Sequence, residues 1–480
     1  MELANIISKR VLYFLSALFI ALAGIGVYLE HYVVLLIPAM LAVVWAAVFK
    51  LDYLILFIVF CTPLSLNLEN MDGVNVGMYL PTEPLLFGVL ILFIFKVISG
   101  KSIDTAIYKH PISYYIYAYL TWMTITCISS EEPIISFKLL LTRLWFIVAF
   151  YFITTHIFRD LKKMKSYVYL YLFTLVVVII YAVTRHAEFK FSKDAAHWVM
   201  EPLFKDHTIY GAVLALYFPM AIALLLQQKL SGAIRIFLTI VFIALTVGLI
   251  LSFTRAAWVS ILAAALMLIP LLLRVPLQFI VILLFIGGFI AASNWENLKI
   301  QMEGNKQESS SNLDEHVKSI SNVSSDASNL ERVNRWNCAI ELFKKRPVFG
   351  WGPGIYQFVY APFQRAKDKT IISTNQGDGG NAHSEYLGPL AEQGVLGLVM
   401  VIALLYGISQ LAFRLFYTLT NRDLKILVAG AYLGLITYYV HGALNNFLDS
   451  DKASVPFWGF TAMLVAIDLY HKKSSAEQSA

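Results

Sequence analysis

The sequence predicts an all-α polytopic membrane protein with about 12–14 transmembrane helices and one large polar loop. The chain is 59% hydrophobic and only 14% charged, a composition that excludes an ordinary soluble domain. Apolar segments of about 20 residues, long enough to cross the hydrocarbon core, recur along the chain. A single long polar stretch, residues 294–393, interrupts them.

These apolar segments divide the chain into three regions. Residues 1–293 contain about eleven predicted spans, residues 294–393 form the polar loop, and residues 394–480 contain about three spans and a short tail. The total stays open, because the second and third spans nearly abut and a re-entrant segment would change it. The predicted spans are 11–29, 32–49, 51–66, 82–98, 111–129, 137–157, 166–184, 208–227, 234–252, 256–273, 277–293, 394–413, 424–444 and 454–470.

The charges of the short loops predict the topology. Loops 67–79 and 130–136 contain no Lys or Arg, whereas each loop on the opposite side of the membrane contains at least one of them. Because positive residues favour the cytoplasmic side, we expect cytoplasmic termini and an extracytoplasmic loop 294–393. One loop predicted to lie outside, 185–207, breaks this rule. Its basic residues are Arg185, Lys190, Lys193 and Lys205.

The remaining composition narrows the possible partners and cofactors. The net charge of +6 agrees with the positive-inside rule and therefore implies no nucleic-acid partner. Cys61, Cys127 and Cys338 are scattered along the chain, which indicates neither a disulfide framework nor a metal site. No cofactor is predicted.

The large loop changes character along its length. Gln301–Asn329 is polar and charged, and such a composition predicts a mobile segment. The stripe of Val333, Trp336, Ile340 and Phe343 then predicts a surface helix lying against the membrane. The glycine-rich run that follows indicates a tight turn, since it lacks the Gly-Lys-Ser/Thr of a phosphate-binding P-loop.

Several short motifs follow one another in the second half of the chain. Ser252–Trp258 reads Ser-Phe-Thr-Arg-Ala-Ala-Trp, and an Arg-Trp pair begins at Arg335. Arg346–Gly354 reads Arg-Pro-Val-Phe-Gly-Trp-Gly-Pro-Gly. His383-Ser384 is followed by nine residues and then by Gly394-Val-Leu-Gly397.

This set of motifs resembles the signature of the O-antigen ligase and polymerase superfamily. Members share a histidine followed by Asn, Ser or Gln, nine free positions, and then Gly-x-x-Gly, Thr or Tyr. Ser252–Trp258 also resembles the family's Ser-Arg-Gly/Ala-Ala-Trp motif. The resemblance covers residues 200–460, and the preceding spans match only as hydrophobic helices.

The resemblance implies a GT-C-type, metal-independent, inverting glycosyltransferase of the bacterial inner membrane, with its active site facing the periplasm. The donor would be a glycan carried on undecaprenyl diphosphate, and the acceptor lipid A-core or a second glycan. Other expected partners are membrane lipids.

The chemistry of this transfer suggests roles for particular side chains. The acceptor hydroxyl must lose a proton, and His383 is the expected catalytic base; the competing interpretation is that His383 only caps or orients the loop. The leaving diphosphate needs cations, and arginine binds phosphate through two parallel hydrogen bonds. The candidates for substrate binding are Arg143, Arg185, His207, Arg255 and Arg335.

Each substrate-binding candidate has a simpler interpretation. Arg255 stands where a span leaves the membrane and would also be explained by snorkelling to the headgroups. Arg143 lies inside a span, where an ionisable side chain is usually functional. The other candidates compete with ordinary surface charge. Residues at the outer end of the thirteenth span are candidates for the acceptor site or for helix capping: His441, Asn445, Asn446 and Asp449.

The histidine motif is shared by enzymes with different activities and does not identify which of them this chain has. We favour an O-antigen ligase, because one prominent outside loop carries the histidine motif. A polymerase of O-antigen or exopolysaccharide is the main alternative, and an O-linked oligosaccharyltransferase is a further one. A transporter of lipid-linked glycans would need ionisable groups near the middle of the membrane and an internal repeat. The ionisable residues instead cluster at the outer ends of the spans.

Overall fold

The computed structural model describes residues 9–30, 34–35, 37–68, 77–100, 103–294, 327–364 and 380–472. The chain divides into two compact units, residues 1–57 and 58–480. The first unit contains α1 (Lys9–Tyr28), α2 (Ile37–Phe49) and the larger part of α3 (Leu51–Cys61).

The second unit contains the remaining helices. They are α4 (Thr82–Ile98), α5 (Thr105–Tyr108), α6 (Pro111–Ile128), α7 (Pro133–Ile147), α8 (Thr154–Ile157), α9 (Leu161–Glu188), α10 (Lys193–Ala196), α11 (His207–Leu225), α12 (Gly232–Leu251), α13 (Arg255–Leu272), α14 (Leu277–Ser293), α15 (Ala327–Lys345), α16 (Tyr356–Val359), α17 (Leu387–Thr418), α18 (Arg422–His441) and α19 (Asp451–Ala466). Two π-helical turns, Val148–Ile153 and Ile467–His471, join α7 to α8 and extend α19.

This architecture confirms the predicted all-α polytopic class. Among the described residues, eight helices are long and apolar enough to cross a membrane, judged by length and composition. Every predicted span coincides with a helix. The helix that contains the span predicted at 394–413 begins earlier, at Leu387, so the second half of the histidine motif is helical.

The interior of the second unit is built on α11, α18 and α19. In the most apolar stretch of each of these three helices, 72%, 72% and 83% of the residues are buried. The corresponding fractions in α12 and α13 are 28% and 22%. Small residues permit this close packing. A Cβ on Gly434 would lie 2.5 Å from the carbonyl oxygen of Leu216, and one on Gly430 would lie 2.4 Å from the Cβ of Ala223. The apolar faces of α12 and α13 thus remain available to lipid.

A two-stranded antiparallel sheet, which the sequence did not predict, pairs Leu66–Asn67 with Tyr79–Leu80. Two buried charged residues at the start of α19, Asp451 and Lys452, anchor the residues that flank the two strands. The Lys452 ammonium donates to Ser65 Oγ at 2.7 Å, and Asp451 Oδ2 accepts from the hydroxyls of Ser65 and Thr82 at 2.7 Å each. Because both charges are hydrogen-bonded, they are tolerated in a buried position.

Candidate active site

The predicted base, His383, lies in a tight turn immediately before α17. Its φ angle is +47°, in the left-handed region. Asn381 Oδ1 accepts a hydrogen bond from the His383 N–H at 3.0 Å. The hydroxyl of buried Ser384 accepts from the N–H groups of Tyr386 and Leu387 at 3.2 and 3.3 Å. The residue after the histidine therefore caps the first turn of α17 and fixes the turn that carries His383.

The two glycines of the motif lie at positions where the neighbouring atoms leave no room for a side chain. Gly394 has φ +71° and ψ −169°, and it kinks α17. A Cβ there would lie 2.0 Å from the carbonyl oxygen of Val348, and the next N–H, of Val395, donates to the carbonyl of Pro347 at 2.9 Å. A Cβ on Gly397 would lie 2.4 Å from the Cβ of Gln393. Gly394 thus permits contact between the kink and the glycine-rich run, and Gly397 permits close approach to the preceding turn of the same helix.

The glycine-rich run is a turn that packs on the kinked helix. The N–H of Gly352 donates to the carbonyl of Glu392 at 2.8 Å. The Glu392 carboxylate in turn accepts from the N–H of Tyr356 at 3.1 Å. Gly350 has φ +67°, and a Cβ there would lie 2.3 Å from the Glu392 carbonyl carbon. Glu392, which the sequence reasoning did not single out, therefore holds the turn in place.

Helix α15 brings Arg335 against the histidine turn. The buried Arg335 Nε donates to Glu331 Oε1 at 2.8 Å, and its Nη1 donates to the Asn381 carbonyl at 3.3 Å. The guanidinium lies 4.7 Å above the ring of Tyr360. A Cβ on Gly380 would lie 1.4 Å from Arg335 Nη1, so the chain passes directly over this side chain.

The apolar stripe predicted for this helix is not its most buried face. Trp336 and Ile340 are only half-buried, whereas Asn334, Cys338 and Leu342 are fully buried. That this helix lies against the membrane stays a prediction, and one member of the stripe, Val333, is buried. Apolar periodicity does not anticipate polar side chains that find partners, as Asn334 does when its amide donates to Gln364 at 3.0 Å.

A cavity of about 790 Å³ opens beside His383. Arg143 and Arg335 line it together with His383, so the structure brings three of the predicted site residues to one place. The cavity also reaches Leu405 on α17.

A charged network forms one side of the cavity. Arg143 Nη2 lies 2.7 Å from Asp449 Oδ1 and 3.9 Å from Glu385 Oε2. Glu385 Oε1 accepts from the Tyr438 hydroxyl at 2.6 Å and from both N–H groups of residues 447–448 at 2.9 Å. Burial raises the pKa of Glu385, and Arg143 opposes this rise by favouring the ionised form. Glu385 directly follows His383-Ser384, which is the signal that could have identified it.

We expect Glu385→Ala to lower the stability of the protein by about 3 kcal/mol, because the Tyr438 hydroxyl and the Leu448 N–H lose their acceptor and a buried donor without a partner costs about 1–3 kcal/mol. Glu385→Gln retains an acceptor oxygen and should lose less. The thermal midpoints of both variants in detergent provide the measurement. Equal midpoints for the two substitutions would contradict an anchoring role for this acceptor.

Arg185 lies outside the cavity. Its Nη1 donates to the Tyr181 hydroxyl at 2.7 Å, to the Val199 carbonyl at 3.1 Å and to the Glu201 carbonyl. Its guanidinium lies 5.5 Å above the ring of Trp198. Arg185 therefore ties the loop between α9 and α11 to the end of α9.

Arg255 and His207 adjoin the cavity without lining it. Arg255 is the first residue of α13, and the hydroxyl of the preceding Thr254 donates to the His207 carbonyl at 2.8 Å. The neighbours of His207 in the chain, Asp206 and Thr208, do line the cavity.

Of the candidate residues at the outer end of the thirteenth predicted span, three line the cavity and one does not. Asn445, Asn446 and Asp449 line the cavity, whereas His441 is buried and its Nε2 lies 3.1 Å from Asn445 Nδ2.

The surroundings of His383 keep its imidazole neutral. Burial lowers the pKa of His383 to about 4, and the positive charges of Arg332 and Arg335 contribute in the same direction. Neutral imidazole has one nitrogen that can accept a proton. At neutral pH the side chain is thus in the form that a general base requires.

Comparison with known protein families agrees with the position of this site. Residues 239–402 match the family model described as O-antigen ligase. The matched segment includes Arg255, Arg335, His383 and both glycines of the motif. No curated protein matches the chain.

Proposed function

We propose that this chain, a member of the O-antigen ligase and polymerase superfamily, transfers a glycan from undecaprenyl diphosphate to lipid A-core. The observation that carries the proposal is the neutral histidine beside a large cavity that also contains basic side chains. A base and nearby positive charge are the two requirements of transfer from a glycosyl diphosphate.

In the proposed reaction, His383 accepts the proton of the acceptor hydroxyl as that oxygen attacks the anomeric carbon of the donor. The bond between the anomeric carbon and the diphosphate oxygen breaks, and undecaprenyl diphosphate leaves with the electron pair. Attack from the face opposite the leaving group inverts the configuration at the anomeric carbon. The proton moves from His383 to solvent before the next cycle.

We assign the leaving diphosphate to the basic residues whose charge is available in the cavity. Lys138 and Lys205 line the cavity, and both are exposed. Arg335 lines it close to His383 but already pairs with Glu331. Arg143 is paired with two carboxylates, which makes it a weaker candidate for binding phosphate. Lysine binds phosphate as a point charge, so this assignment does not require a guanidinium.

The remaining predicted residues have less direct roles in the proposal. Arg255 and His207 lie beside the part of the wall that contains Asp206 and Thr208, so they are placed to guide an anionic headgroup towards the cavity. Arg185 orders the loop that carries Lys205, and it would act on the diphosphate through that loop.

We further propose that the protein lies in the bacterial inner membrane with the cavity open to the periplasm. The loop charges support this orientation, because the segments on the side of His383 at 67–79 and 130–136 contain no Lys or Arg. Lipid-linked donor and lipid A-core would then both reach the cavity from the outer leaflet.

The decisive experiment supplies purified protein in liposomes with an undecaprenyl-diphosphate-linked glycan, with and without lipid A-core. We expect glycan attached to lipid A-core and no growth of the donor alone, with His383→Ala as the inactive control. A ladder of longer lipid-linked glycans without acceptor would identify a polymerase instead. Spheroplasts should perform the transfer with substrates added from outside, and activity only after lysis would contradict the proposed orientation.

A further inference from the structure

Protein groups enclose the side chain of Arg335 on three sides. The residue is only 6% exposed, and its Nε donates to Glu331 Oε1 at 2.8 Å within the same helix. The ring of Tyr360 lies 4.7 Å below the guanidinium. On the third side the backbone passes so close that a Cβ on Gly380 would lie 1.4 Å from Nη1. A phosphate that approached Arg335 from the cavity would therefore have to compete with Glu331, itself a buried carboxylate.

Arg335 also contacts the residue on which the histidine turn depends. Its Nη1 donates to the Asn381 carbonyl at 3.3 Å. The side chain of Asn381 in turn accepts from the His383 N–H at 3.0 Å, which closes a turn between a side chain and the backbone. Asn381 thus connects the guanidinium on α15 to the backbone of His383.

The histidine turn requires such support. His383 has φ +47°, and a residue with a Cβ keeps this left-handed conformation only where its surroundings impose it. The neighbouring Ala382 packs with Tyr360 in one buried apolar cluster, which fixes where the turn lies. The hydrogen bonds through Asn381 fix the backbone conformation, and the backbone sets the direction in which the imidazole leaves the chain.

The other end of this support is anchored as well. The carbonyl of Arg335 accepts from the Tyr356 hydroxyl at 2.7 Å, and the Tyr356 ring stacks on Tyr360 with the ring centres 5.2 Å apart. The N–H of Tyr356 donates to the carboxylate of Glu392, which belongs to α17. Arg335 is therefore held by α16 and α17 as well as by its own helix, and it has little freedom to turn towards a ligand.

We infer that Arg335 is a positioning residue for His383: it fixes Asn381, and through Asn381 the direction of the imidazole, and leaves the diphosphate to the exposed lysines. The inference rests on the proposed function, because it takes His383 as the base. It replaces the substrate-binding role that the sequence predicted for Arg335.

Arg335→Lys and Arg335→Gln test the inference by separating kcat from KM. Lysine keeps the charge but cannot reach Glu331 and Asn381 with one planar group. Both variants should lower kcat on the order of 10²-fold, as when a catalytic group is displaced by about 1 Å. The KM for the donor should stay unchanged. A higher donor KM with unchanged kcat would make Arg335 a phosphate ligand and overturn the inference.

Asn381→Ala should lower kcat in the same way. Combined with Arg335→Gln, it should cause no further loss, because both residues act through one turn. Losses that multiply in the double variant would show that Arg335 does not act through Asn381.

The pH profile adds a readout that a simple loss of stability would not move. Burial lowers the pKa of His383, and the charges of Arg332 and Arg335 add to this effect. The acid limb of kcat/KM should stay in place in Arg335→Lys, which keeps the charge, and move to higher pH in Arg335→Gln. Equal shifts in both variants would show that Arg335 only shields His383 from solvent, which contradicts the inference.

Arg346→Gln is the matched control. Arg346 directly follows α15, pairs with Glu131 and lies 4.2 Å above the ring of Trp351, but it does not line the cavity. It therefore has the same kinds of contact as Arg335 without the link to Asn381. Its replacement should leave kcat and the donor KM unchanged.

Two measurements that need no transfer separate this inference from the proposed function. They are amide hydrogen exchange across residues 381–385 and the binding of undecaprenyl diphosphate. Faster exchange in Arg335→Gln than in Arg346→Gln, with retained affinity for the lipid, supports the positioning role even if no transfer is found. Unchanged exchange, or loss of affinity for the lipid, overturns it.

Discussion

Replacement of His383 by alanine is expected to lower the rate of glycan transfer by roughly 10²–10⁴-fold, the usual contribution of a positioned general base. The side chain is half-buried and faces the cavity, so its removal takes away a proton acceptor and little packing. The measurement is kcat with both substrates saturating, together with the affinity for the donor lipid, which should be retained.

His383→Asn is the matched control for the backbone. The residue has φ +47°, and asparagine adopts this left-handed conformation more readily than alanine. Asparagine therefore preserves the turn but supplies no base. If the asparagine variant retains more than a few per cent of wild-type activity, His383 orients the turn and another group takes the proton.

The pH profile gives a second readout of the same role. Because the pKa of His383 lies near 4, protonation should abolish activity only as the pH falls through about 4, well below the usual histidine range. The acid limb of kcat/KM should therefore lie near pH 4. Removal of one nearby positive charge, in Arg332→Gln, should move that limb to higher pH. An acid limb near 6.5 in the unmodified protein would show that His383 titrates as an exposed histidine does.

Gly394→Ala is expected to prevent correct assembly of the site. The backbone at this position has φ +71° and ψ −169°, a region open essentially only to glycine, and such strain costs about 1–3 kcal/mol. The new Cβ would also lie 2.0 Å from the Val348 carbonyl oxygen. Because that neighbour is backbone, it cannot move aside as a flexible side chain would. We expect a large fall in the thermal midpoint and loss of transfer.

Gly388→Ala provides the comparison for that substitution. Gly388 lies in the same helix, and the nearest atom to an added Cβ is the Cβ of Ala382 at 4.0 Å, an ordinary contact. Alanine should be tolerated there and favoured by its higher helix propensity. If Gly394→Ala matches Gly388→Ala in midpoint and activity, the kink does not hold the site together.

The sequence alone determined the all-α membrane class, the order of the apolar helices and the order of the motifs. These features depend on local properties: apolar length, loop charge and the spacing of a few residue types. The limits of the helices differ from prediction where the chain is polar but still helical. At Leu387, capping by Ser384 starts the helix before the apolar run begins.

The identity of the charged partners was decided by the tertiary structure. Arg143 lines the cavity but is paired with carboxylates of distant segments, and Arg185 is occupied by carbonyl groups of its own loop. The pairing of Arg335 with Glu331 is different, because the two lie one turn apart on the same helix. A sequence shows which side chains carry charge but not which opposing group folding brings within 3 Å of them. The short strand pair has the same origin, because its two strands are separated along the chain and meet only beside the anchored start of α19.

Within the histidine motif, too, one residue could be recognised from the sequence and the role of another, Glu385, could not. Its neighbour His383 was recognisable from spacing, whereas the anchoring role of Glu385 depends on Tyr438 and on the backbone at 447–448, more than fifty residues further along the chain. The motif thus marked one edge of the cavity, because the spacing of its residues can be read from the sequence. Which charges stay available for a substrate depends on contacts between distant segments, and those exist only in the folded protein.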